Sequence, residues 1–75
     1  MIVFAVYQAD AWLSYASRDL LGIYSTRRKA MKRIKSKTKL TDDDLWNIDN
    51  YNQTQCRENA NDNYIIEEIK VNEDL

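Results

Sequence analysis

The stretch Leu20-Leu21-Gly22-Ile23-Tyr24-Ser25-Thr26-Arg27-Arg28-Lys29-Ala30-Met31-Lys32-Arg33-Ile34-Lys35-Ser36-Lys37 decides the fold. Its first five residues are an apolar run; the rest is basic and helix-forming, with a hydroxyl residue at the joint. Ser25 is the natural N-cap and Thr26 its alternative, because either hydroxyl can accept from a backbone N–H two or three residues on. Strand, cap and helix follow one another without a linker. Ala30, Met31 and Ile34 place a narrow apolar stripe at helical spacing, so only one side of this helix faces a core. The link Lys35 to Lys39 is basic and poorly periodic, and it ends the helix.

Working back from that joint, Asp19 to Tyr24 reads as a strand whose Gly22, the one glycine in the chain, marks a bulge or a close backbone approach. Ile2 to Ala9 is a second strand, rich in branched and aromatic residues with apolar groups on both faces, which suits a central position. Between them Asp10 to Arg18 reads as an ordered hairpin-type connection, longer than usual. Working forward, Thr41 followed by Asp42, Asp43 and Asp44 predicts a second helix start, with Leu45, Ile48 and Trp46 supplying its buried side. Asn50 to Asn63 is almost purely polar and reads as an irregular loop. Tyr64 to Val71 is the last strand; Glu67 and Glu68 interrupt its apolar residues, and the uneven alternation allows a bulge there.

These elements assemble as β-β-α-α-β. An α+β fold follows, a three-stranded antiparallel sheet in the order 2-1-3 with the helices packed on one face. The other sheet face, carrying Tyr or Phe side chains, is then open, and self-association into a homo-oligomer is expected.

Seventy-five residues make one domain spanning 1–75, and a chain of this size buries roughly 60% of its surface. Cys56 stands alone and there is no histidine, so neither an internal disulfide nor a structural zinc site is expected. The apolar start Met1 to Val6 lacks a basic flank and is too short to cross a bilayer, so the expected setting is the cytoplasm. Net charge is −1, but its two halves differ sharply. Residues 1–39 hold nine Lys/Arg against Asp10 and Asp19, for +7; residues 40–75 hold Arg57 and Lys70 against ten acids, for −8. Either the halves neutralise one another, within the fold or across a homodimer, or the basic half meets an anionic partner.

Three constellations carry candidate chemistry. In the connection after the first strand, Trp12 and Tyr15 offer flat faces for a base, Ser14 and Ser17 offer hydroxyls, and Arg18 offers a fork for phosphate or carboxylate. The plainer alternative is a hairpin whose Trp12 covers the sheet edge and whose serines make turn bonds. Late in the chain Asn52, Gln53, Thr54 and Gln55 hold donor and acceptor groups able to read a nucleobase or ribose edge, or form a solvated loop. At the first helix start, Ser25, Thr26, Arg27 and Arg28 suit a phosphate, while Arg27 and Arg28 oppose the helix dipole and so gain from an anion nearby. Lys29, Lys32, Arg33 and Lys35 read as a solvated face.

Enzyme chemistry has little to stand on. There is no histidine for acid–base work, no Gly-rich phosphate loop, and Cys56 has no histidine partner. The three aspartates read as helix capping rather than a metal site, and no cofactor is expected. Direct nucleic-acid binding ranks low, since the overall charge gives little long-range attraction.

Asp10-Ala11-Trp12 with Ser14, Ser17 and Arg18, then Leu21-Gly22-Ile23-Tyr24-Ser25, Asn52-Gln53-Thr54-Gln55 and Tyr64-Ile65-Ile66-Glu67-Glu68 occur in that order. The combination resembles a group of very short phage and prophage-type proteins with Asp-x-Trp, Leu-x-Gly-Val/Ile-Phe/Tyr-Ser/Thr and Asn-Gln-Thr-Gln motifs. In that group a glycine often follows the amide run, where this chain has Cys56. The resemblance implies a phage accessory protein acting on host defence. Two jobs fit: sequestering a nucleotide-derived immune signal of cyclic-nucleotide or ADP-ribose type, or blocking a host defence protein through an acidic surface that mimics nucleic acid.

Overall fold

The computed structural model describes residues 1–10, 18–54 and 63–71. Its elements are β1 (Ile2–Ala9), β2 (Asp19–Tyr24), α1 (Arg27–Lys37), α2 (Asp42–Tyr51) and β3 (Asn63–Lys70). The strands form one sheet in the order β2-β1-β3, with β1 central and antiparallel to both neighbours. The expected α+β topology is therefore the observed one.

Alternation along β1 sorts the two faces. Val6 turns toward the helices and joins Ala30 and Ile34 of α1, Ile48 of α2, and Tyr64 and Ile66 of β3 in one buried cluster. Phe4, Leu21, Tyr24, Met31 and Leu40 pack half-buried around it. Val3, Ala5 and Tyr7 point to the opposite face. Of the aromatics expected on that face, Tyr7 is there, whereas Phe4 belongs to the helix side.

The bulge lies in β2 directly beside Gly22, where the glycine marks one, and not in β3, where the uneven alternation also allowed one. β1 pairs with β3 without a break from Ile2↔Lys70 to Ala9↔Asn63. Against β2 the register shifts, Val6 facing Gly22 and Tyr7 facing Leu20, so Leu21 is the extra residue. Ile65 and Ile66 are adjacent and both buried, which means β3 is covered on two faces at this point. That, rather than a bulge, explains its uneven pattern. Gly22 meets a real crowding: a Cβ there would lie 2.5 Å from the Tyr24 hydroxyl oxygen and 2.8 Å from Cζ. The Tyr24 ring folds back along its own strand into the space the glycine leaves.

Caps set the helix limits. Thr26, not Ser25, caps α1, its hydroxyl accepting from Lys29 N at 3.2 Å, while Ser25 Oγ accepts from Lys29 Nζ at 3.3 Å. α1 runs on through Lys37, beyond the expected end, with Thr38 N donating to Ile34 O at 3.1 Å. Thr41 opens α2 with a reciprocal pair: its hydroxyl accepts from Asp44 N at 3.2 Å and its own N–H donates to Asp44 Oδ2 at 2.9 Å. Asp44 is buried by that exchange. Trp46, expected on the buried side, is 56% exposed and meets Tyr51 edge-on at 5.6 Å between ring centroids. The capping aspartate takes the inward position and turns the tryptophan out.

Residues 50–54, at the start of the polar stretch, are more regular than their composition implies. α2 continues through Tyr51, and Asn52 closes it in the left-handed region at φ 59°, its N–H donating to Ile48 O at 2.9 Å. The chain then runs antiparallel along the outer edge of β3, where Ile66 N donates to Asn52 O at 2.7 Å and Thr54 N to Tyr64 O at 2.9 Å. The edge of β3 is thereby closed by the amide run. Among the described residues, no helix is long and apolar enough to cross a membrane.

Candidate functional site

One buried side chain ties together the roots of the two polar connections. Asn63, fully buried at the start of β3, accepts from Thr54 Oγ1 at 2.9 Å and donates from Nδ2 to Asp10 O at 3.1 Å. The Thr54 hydroxyl in turn accepts from Tyr64 N at 2.9 Å. An asparagine amide suits this place because it offers an acceptor and donors together, so it can bond partners of both kinds at once. Asp10 leads into the aromatic and serine connection, and Thr54 leads into the second polar connection. The chain entering each is thus held on the same end of the sheet, beside the start of β3.

A second joint links the helices. Arg27 donates from Nη1 to Asn52 Oδ1 and from Nη2 to Ile48 O, each at 2.8 Å. It opposes the dipole of its own helix, yet its charge lies at the negative end of α2. In place of an anion, Arg27 meets the negative end of α2 through Ile48 O and the Asn52 side-chain oxygen. Arg28, its neighbour, is exposed.

On the sheet face away from the helices Tyr7, Glu67 and Arg18 converge. The Arg18 guanidinium carbon lies 5.8 Å from the centre of the Tyr7 ring, a cation over an aromatic face. Burial first, and then the charge and hydrogen bond of Glu67, push the Tyr7 hydroxyl above its usual range, with Arg18 acting the other way. Tyr7 is therefore favoured in its neutral form by folding. The stability this gives is complete below the unfolded tyrosine value near pH 10 and disappears as pH climbs through the raised folded value. Urea titrations across that alkaline range are expected to show the wild type losing stability relative to Tyr7→Phe. Parallel curves would contradict the coupling.

The candidate residues named from sequence divide as follows. Trp12, Ser14, Tyr15, Ser17 and Gln55 lie outside the described residues. Arg27 and Asn52 are brought together but spend the atoms described above on each other. Thr54 is fully buried and its hydroxyl serves the Asn63 network; Gln53 is half-buried and bridged to Ile65. Arg18 sits over Tyr7 on the sheet face away from the helices and Arg27 on the helix face, so the two arginines do not form one anion clamp.

Sequence reasoning passed over two features. Asn63 reads as the end of a loop by pattern; its signal is that it stands directly before the run Tyr64-Ile65-Ile66. The second is an open groove of about 360 Å³ along α1, lined by Tyr24, Lys29, Lys32, Arg33 and Ser36. Those cations stand at steps of three and four residues and share a helix face.

Comparison with known proteins places the chain in a family but adds no relative of known activity: no curated protein and no solved structure matches it. The family model takes in β1, β2, both helices and the amide run, and stops short of β3. Over residues 1–61 the match is to a domain of unknown function, DUF7336, and the chain belongs to that family.

Proposed function

We propose that this protein binds a nucleotide-derived signal, of cyclic-nucleotide or ADP-ribose type, and withholds it without altering it, as a phage-type accessory protein would in the host cytoplasm. The observation that supports the proposal is the Asp10–Asn63–Thr54 network, which holds the residues leading into the two connections on one buried asparagine. Trp12 and Tyr15 stack on the base, Arg18 takes the anion, and Gln53 and Gln55 read polar edges. Exposed Leu20 and Ile23, on the sheet face away from the helices, support a homo-oligomer that completes the cavity.

Titration calorimetry with a panel of cyclic dinucleotides and cyclic ADP-ribose isomers tests this. Heat of binding with one member is expected. Trp12→Ala then weakens it about 5- to 150-fold, because losing a base stack costs about 1–3 kcal/mol. Silence across the panel removes the proposal's support. A second reading, a host protein covered by an acidic mimic of nucleic acid, draws on exposed Asp42, Asp43 and Asp49 of α2. Under it, capture from host lysate yields a stoichiometric protein partner that is released by high salt.

A further inference from the structure

We propose that the groove along α1 binds single-stranded nucleic acid, with the backbone phosphates on Lys29, Lys32 and Arg33 and an unpaired base against Tyr24. It rests on residues other than those of the nucleotide site above.

Within the described fold Arg27 joins α2, and Lys35 and Lys37 suit the negative end of α1, but the charge between them has no such use. Arg27–Lys37 contains seven cations and no acid, and its first turn has no acidic residue to suit the dipole. Arg27 alone is drawn into the helix joint. Among the described residues, no carboxylate neutralises Lys29, Lys32 or Arg33. Pairs such as Lys29 with Arg33 and Arg28 with Lys32 repel at four-residue spacing, each costing a few tenths of a kcal/mol. Ala30 and Ile34 already supply the buried stripe, so packing does not require this repulsion. A polyanion relieves it.

The walls of the groove are almost wholly apolar, the Tyr24 ring and the aliphatic stems of its cations, which suits a base, while the charges that end those stems suit phosphates. Its five residues include three cations, one aromatic ring and no acid. One turn of α1 advances about 5.4 Å, which lets cations a turn apart meet successive phosphates of an extended strand. Arg28 and Lys35 continue the charge beyond the groove, on a surface open along its length. That continuity favours a strand over a single nucleotide. A base must be unpaired to stack on Tyr24, which favours a single strand over a duplex. The net charge of −1 weakens long-range attraction, but the phosphate contacts themselves are made with local cations at distances shorter than the screening length of about 8 Å at physiological salt. Gly22 has a part as well, since the Tyr24 ring occupies the space its missing side chain leaves.

Fluorescence anisotropy of the full chain with labelled oligothymidylate, titrated from low to physiological salt, tests the proposal. Three neutralised phosphates predict that log K falls with log salt at a slope of about −2. Lys32→Glu combined with Arg33→Glu is expected to abolish binding, and circular dichroism checks that the fold persists, since neither residue belongs to the core cluster. Tyr24→Leu is expected to weaken binding about 5- to 150-fold, the range for one lost base stack. Gly22→Val moves the ring and weakens binding without touching charge. No binding at low salt would overturn the proposal. So would a salt-independent complex, competition by thymidine monophosphate as effective as by the oligomer, equal affinity for duplex, or salt-sensitive self-association of the chain in place of oligonucleotide binding.

Discussion

Asn63→Leu is expected to lower the stability of this protein by about 2–4 kcal/mol, because two buried or half-buried groups lose their partner together. The substitution keeps the branched skeleton of the side chain but adds bulk, so overpacking adds to the loss. What it removes is the acceptor for the Thr54 hydroxyl and the donor to Asp10 O. For a domain of this length that loss corresponds to a fall in Tm of roughly 10–30 °C, at about 4–8 °C per kcal/mol. Thr54→Val leaves the Asn63 oxygen without its donor and deprives Tyr64 N of its acceptor. The two changes combined are expected to cost less than their sum, with a coupling of about 0.5–3 kcal/mol in a double-mutant cycle by urea denaturation. Additive effects would mean that the two side chains act separately, and the pinning of the two connections would have to come from elsewhere.

Ile34→Ala is expected to have an effect of similar or greater size, about 2–5 kcal/mol, by opening a cavity in the middle of the core. Ile34 is fully buried within the cluster of Val6, Ala30, Ile48, Tyr64 and Ile66. It is the contact through which α1 holds the sheet. A domain of this kind has only about 5–15 kcal/mol of stability to lose. The variant is therefore expected to melt near or below body temperature, and its refolded fraction to rise steeply on cooling toward room temperature. A loss under about 1 kcal/mol would show that α1 does not seat on β1 as described. The neighbouring exposed Lys35→Ala serves as the control and stays close to wild type, since surface changes of this sort are usually within about 0.5 kcal/mol.

How much of this architecture can be read from the sequence depends on the distance over which each feature is decided. The strands and helices are set by neighbours: Ile2 to Ala9 by its branched residues, α1 by Thr26 and the Ala30, Ile34 stripe, α2 by Thr41 and its acids. Each of these signals is local and each is legible. Trp46 misleads because hydrophobicity alone puts it inside, whereas the turn geometry of the Thr41–Asp44 exchange gives that side of the helix to a carboxylate. Arg27 reaches a carbonyl 21 residues away, and Asn63 a carbonyl 53 residues away. Nothing adjacent to either residue announces those partners.

The same distinction applies to function. Composition marks the amide run as polar but does not say that its first three residues lie along β3, with Thr54 wholly withdrawn from solvent. Of that run, Asn52 and Thr54 are taken up in the fold's own hydrogen bonds, as is Arg27. The basic helix has the opposite history. Its cations look like an ordinary solvated face in a list of residues, and become a groove only once Tyr24 is seen folded over Gly22 beside them.

The central functional claim is that the two anchored connections enclose a nucleotide. Titrating isotope-labelled protein with each member of the cyclic-nucleotide and cyclic ADP-ribose panel, and following backbone amide shifts by NMR, tests it most directly. The account predicts that one ligand moves the amides of Arg18, Gln53, Thr54 and Asn63 together with those of the two connections they flank. Shifts absent for every ligand, or confined to α1 and the exposed residues of β2, would contradict it.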